Sequence, residues 1–296
     1  MNPIETFDLA LPHGITLSCR ACGPADAPVI VLLHGFPEAA FVWDEVIVDL
    51  GTRWRCVAPN LRGYERSSAP AEVEAYRAKH LMQDIAALAA AVSPGKPLAA
   101  LVAHDWGGAV AWNLAVQKPA LMERLVIVNS PHPGTFLREL KTSEAQREAS
   151  AYMNFLCRPD AEQLLAEDDY ARLWPFLRSM NGAPWLDAAT QQRYREVWGQ
   201  GLTGPLNYYR ASPMRPPTET DPGAMALDFP PEFVTVKDVP TLVIWGEGDT
   251  ALPPGLVEGL EQFVPQLTLH RVPQATHWIV HEQPALIAEL VATACR

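Results

Sequence analysis

Residues 102–110 read VAHDWGGAV, an apolar run that leads through a polar pair into two glycines. The frame is a small residue (Ala103), any residue, Asp105, any residue and Gly107. Small residues on either side allow the sharp turn from a strand into a helix that presents the central side chain to a ligand. An isolated Asp at such a junction would be an ordinary helix N-cap. In this frame, the pattern predicts that Asp105 is a nucleophile.

A carboxylate suits attack on a saturated carbon, because it is nucleophilic without the help of a base. The displacement leaves an alkyl ester on Asp105, which water must then hydrolyse. A serine at the same position would give an ether, which no neighbouring base could hydrolyse. The sequence therefore has to provide a base that activates water and an acidic group that orients the base.

Asp249 and His277 fit these two roles. Asp249 lies in WGEGD after the apolar run 241–245, and His277 lies in QATHW after the run 267–272. In an open parallel sheet, reactive groups gather at the carboxyl ends of the strands, so we expect all three side chains at one edge. Alone, Asp249 would be a helix cap and His277 a polar loop residue. The order nucleophile, acid, histidine predicts a catalytic triad.

Three polar residues near these positions receive other interpretations. Asn129 ends the predicted strand after the nucleophile and offers no competing carboxylate, which leaves Asp249 as the acid. His34 and His104 flank the site, and we predict that they pack or form hydrogen bonds rather than react.

The segments that must position these residues alternate between strand-like and helix-like patterns, which predicts a mostly parallel sheet with helices on both faces. Short apolar runs predict strands at 29–33, 54–58, 98–103, 124–129, 241–245 and 267–272. Helices are predicted at 43–50, 79–92, 108–116, 254–263 and 283–294.

The pattern changes after Pro133. From about Gly134 to Pro231 there is no strong strand, only helical stretches, and a Pro- and Gly-rich segment closes the region. The simplest organisation is one α/β domain, formed by residues 1–133 and 232–296, with an inserted helical lid at 134–231.

Composition excludes several classes of protein. A content of 48% hydrophobic residues can fill a large core, and a net charge of -11 without a Lys/Arg cluster argues against nucleic acid as a partner. Residues 1–14 lack the features of a signal peptide, and no apolar stretch is long enough to cross a membrane. We therefore expect a cytoplasmic protein without a membrane partner. Cys19 and Cys22 have C-x-x-C spacing, but nothing completes a zinc set, so unpaired thiols are expected.

Four motifs together resemble the Asp-nucleophile branch of the α/β-hydrolase fold superfamily, most closely its soluble epoxide hydrolases: LLHGFPEAAFVW, NLRGYERS, VAHDWGGAVAW and WGEGD…THW. The resemblance covers nearly the whole chain and is weakest over 160–200 and 212–232. It implies a mostly parallel, eight-stranded doubly wound sheet with an inserted helical lid (cap) domain, and no metal or organic cofactor. The chain departs from the pattern at Ala103, where Gly is usual, and at Glu65, where Gly commonly follows Arg-Gly-Tyr.

The resemblance also implies an oxyanion hole. The backbone N–H groups of Phe36 and Trp106 would hold the negative oxygen that forms when water attacks the ester on Asp105. The resemblance further implies a cis peptide bond before Pro37, which turns the Phe36 N–H inward.

Two lid tyrosines follow from the same resemblance. An epoxide opens to an alkoxide, so ring opening needs a proton donor, and a phenol with a pKa of about 10 stays protonated at neutral pH. Tyr152, in SAYMNFLCRP, and Tyr209, in GPLNYYR, resemble the two proton-donating tyrosines of epoxide hydrolases. Tyr208 is predicted to pack.

Haloalkane and haloacid (fluoroacetate) dehalogenases are the enzymatic alternative, because they use the same triad and a halide leaves without a proton. Fluoroacetate dehalogenases have substrate-clamping arginines where this chain has Trp106 and Ala109, and a lid His-Trp pair where it has Tyr152 and Met153. Trp106 does match the first halide-binding Trp of haloalkane dehalogenases. A binding protein that retains the frame without turnover is a third possibility.

The interpretation we prefer is hydrolysis of a small apolar epoxide to a vicinal diol. The aromatic residues Phe36, Trp106, Phe155 and Trp185 are predicted to contact the apolar body of the substrate.

Overall fold

An eight-stranded sheet forms the centre of the computed structural model, which describes residues 3–178 and 183–296. The strands are β1 (Glu5–Ala10), β2 (Thr16–Cys22), β3 (Val29–Leu33), β4 (Arg55–Pro59), β5 (Ala100–His104), β6 (Leu125–Val128), β7 (Thr241–Gly246) and β8 (Leu267–Val272). Their order across the sheet is β1-β2-β4-β3-β5-β6-β7-β8. Strand β2 pairs antiparallel with β1 and β4, and all later pairings are parallel. The predicted mostly parallel, eight-stranded sheet is confirmed.

Helices cover both faces of the sheet. Those before the predicted lid are α1 (Asp44–Leu50), α2 (Ala78–Val92) and α3 (Asp105–Gln117). Those between β6 and β7 are α4 (Pro133–Thr142), α5 (Glu144–Ala149), α6 (Tyr152–Leu156), α7 (Ala161–Tyr170), α8 (Trp174–Leu177), α9 (Ala188–Trp198) and α10 (Thr203–Ala211). The chain ends with α11 (Ile279–Glu282) and α12 (Pro284–Ala294).

The central strands β3, β5, β6 and β7 are buried along their whole length. Runs such as VIVLL and LVIV lack a polar face because helices cover both sides of a parallel sheet. One apolar cluster joins the sheet to α1 and α12, and a second joins it to α2 and α3. These two layers fix the carboxyl edge of the sheet, where the predicted reactive side chains lie.

Two local predictions need correction. The helix predicted at 254–263 is wrong, since the segment forms two short 3-10 turns, Pro254–Val257 and Leu260–Gln262. Gly259 between them has φ +72°, a left-handed conformation that interrupts helical hydrogen bonding and that glycine adopts without strain. Helix α3 begins at Asp105, three residues before the predicted start.

The segment between β6 and β7 forms helices and no strand within its described residues, as the sequence pattern predicts. Residues 179–182 of the predicted lid lie outside the described residues. The division into a core of 1–133 and 232–296 and a lid of 134–231 stays a prediction. Across the described parts of the chain, no helix has the length and apolar character needed to cross a membrane.

Candidate active site

Asp105 lies at the tip of the turn from β5 into α3, with φ +48°. A left-handed conformation is uncommon for a residue with a side chain and often marks a functional position. The surrounding backbone is very close: a Cβ on Gly35 would lie 2.3 Å from Asp105 Oδ1, and one on Gly107 would lie 2.6 Å from the His34 carbonyl oxygen. The backbone N–H of Phe36 donates to Asp105 Oδ1 at 2.7 Å. The other carboxylate oxygen, Oδ2, is left facing the histidine.

His277 lies between the two carboxylates predicted for the triad. Its Nδ1 is 2.7 Å from Asp249 Oδ2, and its Nε2 is 4.0 Å from Asp105 Oδ2. Asp249 is buried, and its Oδ1 accepts hydrogen bonds from the backbone N–H groups of Ala251 and Leu252 at 2.9 and 2.8 Å. Asp249 is therefore rigidly held, and the imidazole presents Nε2 toward Asp105.

The pKa of His277 reflects these neighbours. Burial by itself lowers the pKa of an imidazole, because the charged form loses its water. Here the charge and hydrogen bond of Asp249 outweigh burial, and together with Asp105 and Glu38 they raise the pKa to about 9. An alkyl group on Asp105 removes one of the charges that raise it, so the imidazole becomes easier to deprotonate when an ester is present.

Asn129 has a role that the sequence did not reveal. Its Nδ2 donates to Asp249 Oδ2 at 2.9 Å, so this oxygen is shared between an amide and the imidazole of His277. The residue has φ +38°, and Asn is one of the few residue types that adopt this region readily. An Asn directly after a buried strand was the only available signal.

The flanking histidines are buried and form the predicted hydrogen bonds. His34 Nε2 accepts from the backbone N–H of Leu61 at 3.0 Å, and His104 Nδ1 lies 2.9 Å from the Val128 carbonyl oxygen. His104 Nε2 lies 3.4 Å from the carboxylate of Glu38, which is fully buried beneath the site. Sequence reasoning missed Glu38, although its place directly after His-Gly-Phe-Pro brings it to the same strand end.

Tyr152 and Tyr209 lie side by side and line the same cavity as Asp105. Tyr152 is on α6 and Tyr209 on α10, and their ring centroids are 6.1 Å apart. Burial raises the pKa of both phenols, and the nearby charge of Asp105 raises it further. The neighbouring Trp106 side chain, whose ring centroid is 5.1 Å from that of Tyr209, opposes this rise in the pKa of Tyr209. Both phenols are therefore held in the protonated form, as a proton donor must be.

A cavity of about 200 Å³ joins these groups. Its wall contains Asp105, His277, Tyr152, Tyr209 and Phe36. The remaining lining residues are Ala149, Pro175, Phe176, Arg178, Gly248, Asp249, Thr250, Ala251, Thr276 and Trp278. The site is small and mostly apolar around a few convergent polar groups, the usual character of a small-molecule site.

The predicted aromatic contacts divide between two places. Phe36 is on the cavity wall. Trp106 is not among the lining residues but packs edge-on against Tyr209, which is, with ring centroids 5.1 Å apart. Phe155 and Trp185 lie away from the wall. The guanidinium of Arg158 is 6.0 Å from the Phe155 ring centroid, and Trp185 stacks on His281 at 4.1 Å.

The structure also places the predicted cis peptide bond, the packing tyrosine and the C-x-x-C cysteines. The Phe36–Pro37 peptide bond is cis. Tyr208 is buried, and its hydroxyl donates to the Arg62 carbonyl oxygen at 2.9 Å. Cys19 and Cys22 both lie in β2, and the described residues contain no group of three or more His, Cys, Asp or Glu side chains placed to hold a metal ion.

Comparisons with known proteins agree with the fold and the site described above. A family model described as alpha/beta hydrolase fold matches residues 28–284. The chain is 36% identical over 285 residues to AB hydrolase superfamily protein YfhM of Bacillus subtilis, covering 94% of both chains. It is 34% identical over 278 residues to Epoxide hydrolase 3 of Mus musculus, covering 92% of this chain and 71% of the relative.

Solved structures give the same result. A protein described among novel epoxide hydrolases from metagenomes of hot environments is 37% identical, with a TM-score of 0.87 and coverage of 99% of this chain and 98% of that one. The epoxide hydrolase of Bacillus megaterium, in complex with an inhibitor, is 28% identical with a TM-score of 0.87, covering 97% and 99%.

Proposed function

This chain belongs to the α/β-hydrolase fold family and is similar to its epoxide hydrolases; from that premise we propose that it opens an epoxide to a vicinal diol through an ester on Asp105. One observation carries the proposal. A carboxylate, an imidazole held by a second carboxylate and two buried phenols converge on a single cavity. Epoxide hydrolysis uses all of these groups.

The first step is ring opening. Asp105 Oδ2, which the Phe36 N–H leaves free, attacks an epoxide carbon from the side opposite the carbon–oxygen bond. The electron pair of that bond moves to the epoxide oxygen, which takes a proton from Tyr152 or Tyr209. Both phenols come from the segment 134–231, which we propose forms a lid over the core of residues 1–133 and 232–296. Their raised pKa keeps the proton available until the alkoxide develops.

The second step is hydrolysis of the ester. His277 Nε2 takes a proton from water, and the oxygen of that water attacks Cγ of Asp105. The negative charge develops on Oδ1, where the Phe36 N–H, and by the family pattern the N–H of Trp106, stabilise it. Collapse breaks the bond between Cγ and Oδ2 and releases the diol, whose alkoxide takes the proton from His277. The diol therefore carries an oxygen that came from Asp105. The carboxyl group of Asp105 then loses the remaining proton of the water, and the tyrosine that donated in the first step regains one, which restores the starting state.

Dehalogenation receives less support from the same geometry. A halide has to be stabilised by free N–H donors, and the Trp106 side chain is not among the residues that line the cavity. The two phenols, in contrast, have no role in the departure of a halide.

Rapid mixing with styrene oxide, an acid quench and mass spectrometry test this proposal. We expect an adduct on the peptide that contains Asp105, and no turnover by Asp105→Asn. Asp26→Asn, on an exposed loop, is the matched control and should keep full activity. In ¹⁸O-labelled water, the diol from the first turnover should contain no label. Label in that first product, or release of halide from a small haloalkane with no reaction of epoxides, would overturn the proposal.

A further inference from the structure

Helix α9 reaches from the predicted lid to the loop that follows β3. The indole N–H of Trp198, at the end of α9, donates to the carbonyl oxygen of Pro37 at 2.7 Å. Trp198 is 3% exposed, so water does not compete for this bond. One turn earlier, the hydroxyl of Tyr194 lies 3.4 Å from the carboxylate of Glu38. The helix thus contacts two consecutive residues of the loop.

The loop is the part of the core that holds Asp105. Phe36, directly before Pro37, donates its N–H to Asp105 Oδ1. Within the loop, one hydrogen bond runs from the Glu38 N–H to the Gly35 carbonyl oxygen at 3.0 Å. The ring of Pro37 fixes its φ, so a restraint on the Pro37 carbonyl also limits where the preceding residue can lie.

We propose that Trp198 is a positioning residue, which holds the Phe36 N–H in place for the oxyanion on Asp105 through the carbonyl of Pro37. The inference rests on the proposed function and extends it, because a lid residue distant from the reacting atoms then controls a step that takes place on the core.

The two steps respond differently to this donor. During ring opening, Asp105 loses its negative charge, so a weaker Phe36 hydrogen bond does not slow the attack. During ester hydrolysis, negative charge returns to Oδ1, and donors aimed at a developing oxyanion lower the barrier. Loss of the Trp198 bond should therefore slow hydrolysis of the ester and leave its formation unchanged or slightly faster.

Trp174 provides a matched control. Its indole N–H also forms a hydrogen bond of 2.7 Å, which is partly buried, but the acceptor is the Asp169 carbonyl oxygen within the predicted lid. The rings of Trp174 and Trp198 pack together at 4.6 Å, so both belong to the same aromatic cluster. Trp198→Phe and Trp174→Phe each remove an indole N–H from this aromatic cluster. The two variants differ in whether the acceptor of the lost hydrogen bond belongs to the loop at residues 34–38.

The experiment measures single-turnover rates of ester formation and ester hydrolysis with styrene oxide in both variants. Complete removal of an oxyanion donor costs about 10²- to 10³-fold in rate. A displaced donor should lose part of that, so we expect hydrolysis about tenfold slower in Trp198→Phe, with ester formation within twofold of wild type and more ester at steady state. Trp174→Phe should keep both rates within twofold.

A second measurement does not depend on activity. In protein labelled with ¹⁵N-phenylalanine, the Phe36 amide proton should move upfield in Trp198→Phe, because its hydrogen bond weakens, and should not move in Trp174→Phe. Equal effects of the two variants on hydrolysis, or an unmoved Phe36 amide in Trp198→Phe, would overturn this inference alone. Turnover by the wild type without an ester on Asp105 would overturn the proposed function as well.

Discussion

The carboxyl edge of the sheet and the helices above it hold their reactive groups by different means. Asp105 and Asp249 are fixed by backbone: a left-handed turn in one case and two backbone N–H groups in the other. Tyr152 and Tyr209 are fixed by packing against other side chains. The groups to which we assign ester formation and hydrolysis are therefore held by backbone at the sheet edge. The tyrosines to which we assign proton donation depend on how the helices pack.

The two tyrosine helices also differ from each other. Helix α10 is bound to the core: a Cβ on Gly204 would lie 2.5 Å from the Cα of Gly63, and Asn207 Nδ2 donates to the Ala71 carbonyl oxygen at 3.1 Å. Helix α6 has its side-chain bond within the predicted lid, from Asn154 Nδ2 to the Pro216 carbonyl oxygen at 3.1 Å. The helix of Tyr209 is thus tied to the predicted core as well as to α7, through Arg210 and Glu162, whereas the helix of Tyr152 is tied within the predicted lid.

At the sheet edge, the largest expected effect is on the second step of the proposed reaction, hydrolysis of the ester on Asp105. His277→Gln should form the ester normally and fail to hydrolyse it, with a loss of about 10²- to 10⁴-fold, the usual contribution of a general base. Asp249→Asn, which keeps the imidazole, should slow hydrolysis less. Quenched-flow mass spectrometry would show the ester accumulating. If no ester accumulated in His277→Gln, the assignment of ester hydrolysis to the sheet edge and of ring opening to the two tyrosines would be contradicted.

In the predicted lid, the largest effect is expected from replacing Tyr152 and Tyr209, and it should fall on ring opening. Either Tyr152→Phe or Tyr209→Phe leaves one donor, and each lost donor should cost on the order of 2–4 kcal/mol, roughly thirty- to a thousandfold in ring opening. The double variant should lose ring opening almost completely. The measurement is the pre-steady-state rate of ester formation on Asp105; a double variant that opens epoxides near the wild-type rate would show that the phenols only pack.

A smaller effect is expected from the contact that fixes α10. Gly204→Ala places a methyl group against the backbone of Gly63, so the helix must move and carry Tyr209 with it. We expect ring opening to slow by about tenfold and stability to fall by about 1–3 kcal/mol. Gly255→Ala is the control, because its Cβ would have an ordinary contact of 3.6 Å with Glu139. If Gly204→Ala lost this much stability but opened epoxides at the wild-type rate, Tyr209 would not be positioned by the contact between Gly204 and Gly63.

The smallest effect concerns the charge balance at the edge. The pKa of His277 is about 9 with Asp105 charged, and Asp105 is one cause of that elevation. Asp105→Asn should therefore lower the pKa of His277, as seen by NMR titration of the imidazole. His132, whose pKa is lowered to about 4 by burial elsewhere, should not change. In the wild type, ester hydrolysis needs neutral His277, so its rate should rise with pH and level off below pH 9.

Much of the sheet edge could be predicted because it depends on local patterns. Asp105 directly follows β5, and Asp249 and His277 lie in the loops after β7 and β8. The runs of apolar residues reveal these strands. Prediction was less successful where no strong pattern exists. At 254–263 the apolar residues suggested a helix, but Pro253, Pro254 and a left-handed Gly259 leave two 3-10 turns.

The sequence by itself determined the sheet, the order of the proposed triad residues and the chemistry that we propose for Asp105, because strand periodicity and turn composition act over a few residues. Tertiary structure alone decided the long-range contacts that no motif marks. The bond from Trp198 to Pro37 spans 161 positions and that from Asn129 to Asp249 spans 120. Contacts of this kind form only when the sheet is complete and the helices close over it, so no local pattern specifies them.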